Sequence, residues 1–484
     1  MKTIVIYDDA IHKSELIKDI IGEKGFGEVV INKKKNEDRY REMMEQALGE
    51  LLWFKITSVY QYSDIMSRIA SLDTENVRVV HAFADFYIVD SSQAQLTFRK
   101  TFYVDDVYTA YLEENPAAVL FPSVTAYGSF CKNVLAGEDS KSLAQKFKGR
   151  IPIEGVMDIG NVSNFILCIS GNFDSRFFNS VSGDQFIVEK KSSNRKKIKS
   201  EYTFYQLVPE DMKYWFVMPF DYRETPEYAS YKMERLHMTD LAIKWVHGSM
   251  DPEEFGELMD RYFYFFRSRH SKDCSAEQYA AVTDGLFVEK VYSRIAELKG
   301  KKEFEPINRL LELHCDTRID ALVEKYFRLK EKIEKKLTFE KKLVIGHGDP
   351  CFANALYSKA TKTLKFIDPK GALTEEQLWT NAYYDIAKLS HSVCGNYDFF
   401  NNNLYEIRIG RDFSYELEIQ SGNQDYVEIF RRKAEENGYD YWAVRIYEVS
   451  LFLSMLPLHI DNPHKVFGFI LNAKQIMEEI EKNV

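Results

Sequence analysis

Two short apolar segments, each followed by acidic residues, restrict the fold of the C-terminal half of this chain. The first spans residues 343–354 and reads LVIGHGDPCFAN, so a strand pattern runs into a His-Gly-Asp turn. Asn354 comes five residues after Asp349. The second segment is a strand pattern that ends at Asp368. A carboxylate, an amide and a second carboxylate are therefore expected at one point of the fold.

These residue types suit phosphoryl transfer from a nucleotide. That reaction needs a carboxylate that orients the attacking hydroxyl, and an amide with a second carboxylate that hold Mg²⁺ on the phosphates. We assign the first role to Asp349 and the metal-binding role to Asn354 and Asp368, because Mg²⁺ prefers oxygen ligands. His347 is predicted to hold the loop by hydrogen bonding to nearby backbone. The pattern predicts ATP and Mg²⁺ as cofactors.

The separation of Asp349 and Asn354 matches the catalytic loop of protein kinases. The His-Gly-Asp order, with Ile-Asp-Pro in place of Asp-Phe-Gly, resembles the aminoglycoside phosphotransferase and choline kinase family. The resemblance implies an α+β fold, a two-lobed protein-kinase-like phosphotransferase domain, over roughly residues 160–480. It also implies a helix over residues 383–391, on which Asp385 braces the catalytic loop or approaches the acceptor.

A small β-rich lobe must come before the catalytic loop and supply a lysine. Residues 185–190 are predicted to form a strand on which Val188 and Lys190 share one face. Val188 would then cover the adenine while Lys190 reaches the phosphates. Lys191 is the less favoured alternative, because it would place Glu189 against the adenine.

Further groups are predicted to complete the nucleotide site. A helix over 196–207 carries Glu201, the acidic partner of the lysine. A turn with Ser175 and Arg176 would lie over the phosphates, although it has few glycines. The backbone hinge that meets the adenine edge is predicted to be Met233, Glu234 and Arg235.

Residues 1–150 alternate between strand and helix patterns, which predicts a layered α/β domain with a substantially parallel sheet. A helix is predicted over 37–55. Asp8 and Asp9 follow the first predicted strand, at the edge where such sheets bind ligands, and would hold a metal or cap the next helix. The pattern resembles nucleotidyltransferase or glycosyltransferase domains that handle sugar nucleotides, although the Gly-rich signature of an active nucleotidyltransferase is missing.

The loop-rich stretch between about 140 and 157 predicts a domain boundary. The predicted domains are 1–150 for the α/β part, 155–236 for the kinase-like N-lobe and 237–484 for a helical C-lobe. The apolar run over 164–170 is predicted to be the first strand of the N-lobe.

Charge and cysteine content argue against several classes of function. The net charge of −10 disfavours a nucleic-acid partner. The six cysteines show no zinc-site spacing, and the start of the chain shows no signal-peptide pattern, which together predict a cytoplasmic protein. No apolar run is long enough for a membrane span. The sequence leaves open the acceptor, the oligomeric state and the choice between ATP and GTP.

The leading hypothesis is a Mg-ATP phosphotransferase that acts on a hydroxyl of a small metabolite, such as a sugar, an amino alcohol or a related precursor. A role in surface-polysaccharide biosynthesis is a further hypothesis. One alternative is a nucleotidyltransferase or glycosyltransferase that uses Asp8, Asp9, Asp85 and Asp90, with a regulatory kinase-like half. The other is a pseudokinase scaffold. It is disfavoured because the main site residues are all present: Lys190, Glu201, Asp349, Asn354 and Asp368.

Overall fold

The fold is described from a computed structural model, over residues 2–70, 77–170, 179–183, 186–411, 413–421 and 424–484. The chain divides into two compact units, Met1–Asn172 with His247–Ser249 and Phe173–Val246 with Met250–Val484. Both units mix helices and sheets. Ser175 and Arg176, predicted to lie over the phosphates, are outside the described residues.

Strands and short helices alternate through the first unit. Its strands are β1 (Lys2–Asp8), β2 (Val30–Ile31), β3 (Lys34–Lys35), β4 (Leu51–Ile56), β5 (Val77–Phe83), β6 (Phe86–Ile88), β7 (Tyr108–Leu112), β8 (Asn115–Phe121), β9 (Gly149–Pro152) and β10 (Val156–Asp158). Its helices are α1 (Glu15–Ile21), α2 (Asn36–Leu48), α3 (Gln61–Ala70), α4 (Ser91–Arg99), α5 (Val124–Leu135), α6 (Ser140–Gln145) and α7 (Val162–Ser170).

The main sheet of the first unit has the strand order β4-β1-β5-β8-β7-β9. The apolar strand β1 is buried along most of its length and pairs in parallel with both β4 and β5. A continuous apolar run is typical of a strand that is covered on both faces. Since β8 runs antiparallel to β5 and β7, the sheet is mixed rather than substantially parallel.

Two predicted elements of this unit are wrong. The helix predicted over 37–55 ends with α2, because Gly49 has a φ of 77°, and the apolar residues that follow form β4. The strand predicted over 164–170 is helix α7, whose first turn is capped by the side chain of Asn161. A short apolar run does not distinguish a strand from a helix by its periodicity. The units divide after α7, later in the chain than the predicted boundary.

The second unit begins with strands and ends with helices. Its strands are β11 (Asn179–Gly183), β12 (Ile187–Ser192), β13 (Pro219–Glu224), β14 (Ala229–Glu234), β15 (Thr239–Asp240), β16 (Ser271–Asp273), β17 (Lys342–Ile345), β18 (Ala355–Ser358), β19 (Thr363–Phe366), β20 (Trp379–Thr380), β21 (Tyr405–Ile409) and β22 (Tyr415–Ile419). Its helices are α8 (Arg195–Leu207), α9 (Glu210–Lys213), α10 (Leu241–His247), α11 (Pro252–Ser268), α12 (Ala276–Asp284), α13 (Lys290–Lys299), α14 (Phe304–Cys315), α15 (Ile319–Glu334), α16 (Ala382–Val393), α17 (Tyr397–Asn401), α18 (Gln424–Glu436), α19 (Tyr441–Met455) and α20 (Pro463–Asn483).

An antiparallel sheet of order β11-β12-β14-β13 opens the second unit, and α8 packs against it. Burial alternates along β12, so Val188, Lys190 and Ser192 are the buried positions. The shared face predicted for Val188 and Lys190 is therefore confirmed. Asn194 caps the start of α8, because its side chain accepts a hydrogen bond from the backbone N–H of Lys197.

Two small sheets carry the predicted catalytic segment. β17 pairs with β16 and β20, while β18 pairs with β15 and β19. Helices α13, α15, α16, α19 and α20 contribute to one apolar core in the same unit. No helix in the described ranges is both long and apolar enough to cross a membrane.

Phe366, the last residue of β19, is 1% exposed and packs its ring on those of Phe265 (4.7 Å between centroids) and His347 (5.5 Å). Replacing it with alanine, Phe366→Ala, should lower the free energy of unfolding by about 3–5 kcal/mol because a cavity is left. Phe413→Ala, at a ring that is 72% exposed, serves as the control. Urea unfolding of both variants measures the difference, and equal losses would contradict this packing.

Candidate active site

The turn after β17 depends on a glycine. Gly348 has a φ of 83°, and a Cβ there would lie 2.5 Å from the Cβ of Lys370. Any side chain at this position would strain the backbone and collide with the segment after β19. Gly348 therefore lets the loop that carries His347 and Asp349 approach that segment closely.

His347 is 1% exposed and is held by backbone on both sides. Its Nδ1 accepts a hydrogen bond from the backbone N–H of Asp349 (3.1 Å), so the proton lies on Nε2, which donates to the carbonyl of Ile367 (3.0 Å). Burial lowers the pKa of His347, which keeps the ring neutral near pH 7. These contacts fit the predicted positioning role of His347.

Asp385 fastens the same loop from α16. Its carboxylate accepts hydrogen bonds from the backbone N–H groups of His347 (3.0 Å) and Gly348 (2.8 Å). The guanidinium of Arg269 lies 2.9 Å from the carboxylate, and both side chains are fully buried. Of the two roles predicted for Asp385, bracing the loop is confirmed. Arg269 was missed, because nothing in the sequence around it indicates this partner.

Asp349 faces the open side of the loop, with 38% of its side chain exposed. The ammonium group of Lys388 lies 2.9 Å from its Oδ1. Burial alone would raise the pKa of Asp349, but Lys388 more than offsets this and the pKa is lowered, so the carboxylate is ionised near pH 7. Lys388 lies within the helix predicted over residues 383–391, but no role was predicted for it. Its spacing of three residues from Asp385 is the signal that both lie on one face of α16.

Asn354 is joined by hydrogen bonds to Asp349 and to Ile367, the residue before Asp368. The N–H of Ile367 donates to the carbonyl of Asn354 (3.0 Å), and the side-chain Nδ2 of Asn354 donates to the carbonyl of Asp349 (2.9 Å). Because the amide nitrogen is used in this way, the amide oxygen of Asn354 is left for a ligand. Amide and carboxylate oxygens are ligands that Mg²⁺ prefers, and metal binding by Asn354 and Asp368 stays a prediction.

Lys190 joins the two ends of the site. Its Nζ lies 2.8 Å from Oε2 of Glu201 and 2.7 Å from Oδ1 of Asp368. Burial alone would lower the pKa of Lys190, but Asp368 and Glu201 outweigh it and raise the pKa, so the lysine stays charged. The hydroxyl of Tyr231 also donates to Glu201 (3.1 Å), which fixes the carboxylate on its strand side.

The residues predicted to meet the adenine lie at the end of the same sheet. Val188 pairs with Met233 across β12 and β14, and both are buried. Glu234 ends β14, and the backbone N–H of Arg235 donates to the carbonyl of Phe186 (2.8 Å). The alternative lysine, Lys191, instead lies over the ring of Tyr228. Contact of the predicted hinge with adenine stays a prediction.

A cavity of about 260 Å³ opens beside the catalytic loop. It is lined by Phe204 of α8, by Gly346–Gly348, by Lys370 and Gly371, by residues 377–380, and by residues 281, 282, 285 and 286. The last of these lie at the end of α12 and in a π-helical turn, Gly285–Glu289. Such turns are rare in proteins overall, but those that occur are often found at functional sites. The cavity borders His347 and Gly348, which directly precede Asp349, but Asp349 is not itself among the lining residues.

The acidic residues of the first unit, Asp8 and Asp9, are hydrogen-bonded to other groups of the protein. Asp8 accepts hydrogen bonds from Tyr62 (2.8 Å) and Ser140 (3.1 Å) and contacts His81 (3.1 Å). Asp9 accepts from the backbone N–H of Gly27. Neither caps α1, whose cap is Ser14, so the capping prediction is wrong. Among the described residues, no group of three or more His, Cys, Asp or Glu is arranged to hold a metal.

The other two acidic candidates of this unit also have partners. Asp85 pairs with Lys141, and burial raises the pKa of Asp85 to about 6. Asp90 caps α4 by accepting from the backbone N–H groups of Ser92 and Gln93. A nucleotidyltransferase or glycosyltransferase site in this unit stays a prediction.

No protein-family profile matches the chain, and no curated protein matches it in sequence. The structure is similar to a thermostable mutant of the aminoglycoside phosphotransferase APH(4)-Ia in its apo form, with a TM-score of 0.35 and 10% identity over 66% of this chain and 98% of that one. A ternary complex of that mutant with AMP-PNP and hygromycin B gives 0.35 and 11% over 67% and 99%. The phosphotransferase APH(3'')-Id from Streptomyces rimosus, with ADP and streptomycin, gives 0.32 and 14% over 57% and 88%. Similarity at this level assigns neither a family nor an activity to the chain.

The buried pair of Asp385 and Arg269 gives a test of how the loop is held. Asp385→Leu should lower the free energy of unfolding by about 3–5 kcal/mol, because the buried charge of Arg269 is left without an acidic partner. The double variant Asp385→Leu with Arg269→Met should recover much of this loss, because no charge remains buried. Amide hydrogen exchange at His347 and Gly348 should be faster in both variants than in the wild type. Equal instability of the single and double variants would contradict this account.

His391 on α16 gives a pH-dependent test. It is 1% exposed, neither ring nitrogen has a hydrogen-bond partner in the described part of the chain, and burial lowers its pKa well below the ordinary 6.5. The unfolded chain therefore takes up a proton in acid that the folded chain does not, and stability falls as pH falls. As the pH falls from about 7.5 to 5.5, the free energy of unfolding of His391→Leu should rise by roughly 1.4 kcal/mol relative to that of the wild type. A difference independent of pH would contradict this.

Proposed function

We propose that the second unit is a Mg-ATP-dependent phosphotransferase that phosphorylates a hydroxyl of a small metabolite. The observation that carries the proposal is the contact of Lys190 with both Glu201 and Asp368. It joins the predicted phosphate-binding lysine to its acidic partner and to a predicted metal ligand, although the three residues come from separate elements. Burial of the lysine and glutamate makes this an organised site rather than a surface ion pair.

The reaction follows from the positions of the charged groups. The acceptor oxygen forms a bond to the γ-phosphorus of ATP while the bond from that phosphorus to the bridging oxygen breaks, which gives a phosphate monoester and ADP. The hydroxyl proton passes to Asp349, which the lowered pKa keeps ionised. Because the transition state of such reactions is loose, orientation of the hydroxyl matters more than the basicity of the carboxylate.

The nucleotide would be bound by a different set of residues from Asp349, which orients the acceptor. Lys190 would contact the α- and β-phosphates, with Glu201 keeping its ammonium group in place. Asn354 and Asp368 would hold Mg²⁺, which neutralises charge on the phosphate oxygens. Val188 would cover the adenine. His347 moves no proton in this scheme, since both of its ring nitrogens are bonded to backbone.

We propose a sugar, an amino alcohol or a related precursor as the acceptor, with surface-polysaccharide biosynthesis as the context. The identity of the phosphorylated product decides both points. It also decides between the phosphotransferase and the two alternatives, a pseudokinase scaffold and an enzyme that works from its first unit.

The direct test is transfer from Mg-ATP into a pooled metabolite extract, read as a mass increase of one phosphoryl group. Asp349→Asn should lower the rate by about 10²–10⁴-fold, because the acceptor hydroxyl loses its base, while Mg-ATP binding is retained. Asp368→Asn should also lose Mg-dependent nucleotide binding. Asp320→Asn, at an exposed carboxylate paired with Lys299, is the matched control and should leave the rate unchanged.

Two results would contradict the proposal. A product formed equally by wild type and Asp349→Asn would place the chemistry elsewhere in the chain. Nucleotide binding without any product in several extracts would favour the pseudokinase scaffold.

A further inference from the structure

Two lysines beside the catalytic loop have no acidic partner. Nζ of Lys290 donates a hydrogen bond to the hydroxyl of Tyr384 (2.8 Å), and Nζ of Lys370 lies 6.0 Å from the centre of the same ring. Within the described ranges, neither lysine forms an ion pair. Lys290 is half-buried at the start of α13, and Lys370 lines the cavity.

The other charged groups described at the site compensate one another. Asp349 is paired with Lys388, and Asp385 is paired with Arg269. The carboxylates of Asp368 and Glu201 share Lys190, and Lys197 lies 3.5 Å from Glu201. The charges of Lys290 and Lys370 are therefore left over as a local excess of positive charge.

The positive charge near the catalytic loop affects the buried side chain of Tyr384. Tyr384 is 2% exposed, and burial alone would raise the pKa of its phenol. Lys290, Lys388 and Lys370 instead lower the pKa below its ordinary value of 10.0. A positive potential therefore reaches the interior next to the catalytic loop.

The cavity has the same electrostatic character. Among the residues that line it, Lys370 carries the one formal charge at neutral pH, and none carries a carboxylate. Four acidic residues close in sequence to the lining are exposed and are not part of it: Asp284, Glu289, Glu375 and Glu376. Its volume of about 260 Å³ lies just below the usual range of small-molecule sites, which favours a small acceptor.

We infer that the acceptor is a small hydroxyl compound that also carries an anionic group, a phosphate or a carboxylate, and that Lys290 and Lys370 bind this group. The inference rests on the proposed phosphotransferase function and narrows its acceptor to anionic compounds, which leaves out an amino alcohol whose only charge is positive. Anionic oxygens accept charge-assisted hydrogen bonds from ammonium groups, which are stronger than neutral ones. A polycationic amino sugar would meet the two lysines with like charge, and such repulsion is an effective basis for rejecting a substrate.

Calorimetric titration of the full chain, saturated with Mg-AMP-PNP, tests this inference. Glycerol 3-phosphate and D-glycerate are the anionic probes, glycerol is the neutral match and choline is the cationic probe. We expect at least one anion to bind at least about tenfold more tightly than glycerol. A stronger response to glycerol 3-phosphate or to D-glycerate would assign the group to phosphate or to carboxylate. Lys290→Gln and Lys370→Gln should each weaken anion binding about tenfold.

Lys302→Gln is the matched control, because this lysine is 91% exposed and lies away from the cavity lining. Glycerol or choline binding as tightly as the anions would overturn the inference, and so would anion binding unchanged in both lysine variants. Loss of Mg-AMP-PNP binding in Lys370→Gln would assign that lysine to the transferred phosphoryl group and overturn its role here. Failure of the wild type to bind Mg-AMP-PNP overturns the proposed function together with the inference, whereas nucleotide binding without anion selectivity overturns the inference alone.

Discussion

The buried ion pair between Asp385 and Arg269 is the contact on which the site depends. Its carboxylate accepts hydrogen bonds from two consecutive backbone N–H groups of the catalytic loop, so one side chain sets the path of the turn. His347 then ties that turn to the segment that ends in Asp368. A buried pair of this kind is weak support for stability by itself, but removing one partner strands a charge. The pair therefore acts as a positional constraint.

Much of the site could be predicted from the sequence because the signals are local. The spacing from His347 to Asn354, and the strand period that places Val188 and Lys190 on one face, need only a few neighbouring residues to interpret. The structure brings Asp349, Asn354, Asp368, Lys190 and Glu201 into one site, although their roles remain proposals. Ser175 and Arg176 lie outside the described residues.

The contacts that were missed join residues far apart in the chain. Arg269 directly follows α11, whereas Asp385 lies on α16, and Lys290 approaches Tyr384 from α13. No pattern along the sequence marks such pairs. The two incorrectly predicted elements have local causes instead. Gly49 ends α2 earlier than predicted, and the side chain of Asn161 caps the first turn of α7, so the apolar run over 164–170 is helical. In the first unit, Asp8 and Asp9 were predicted to hold a metal or to cap the next helix, but Ser14 caps α1, and the two carboxylates contact hydroxyl, imidazole and backbone groups and, at Asp9, the ammonium group of Lys55.

The central claim is that Lys190, Glu201 and Asp368 form a Mg-nucleotide site. Equilibrium binding of ATP with and without Mg²⁺, to wild type and to Lys190→Met, tests it most directly. The account predicts binding that requires Mg²⁺ and weakens by about tenfold or more when the lysine is replaced, because a charge-assisted contact to phosphate is lost. Absence of ATP binding, or equal affinity of the two proteins, would contradict it.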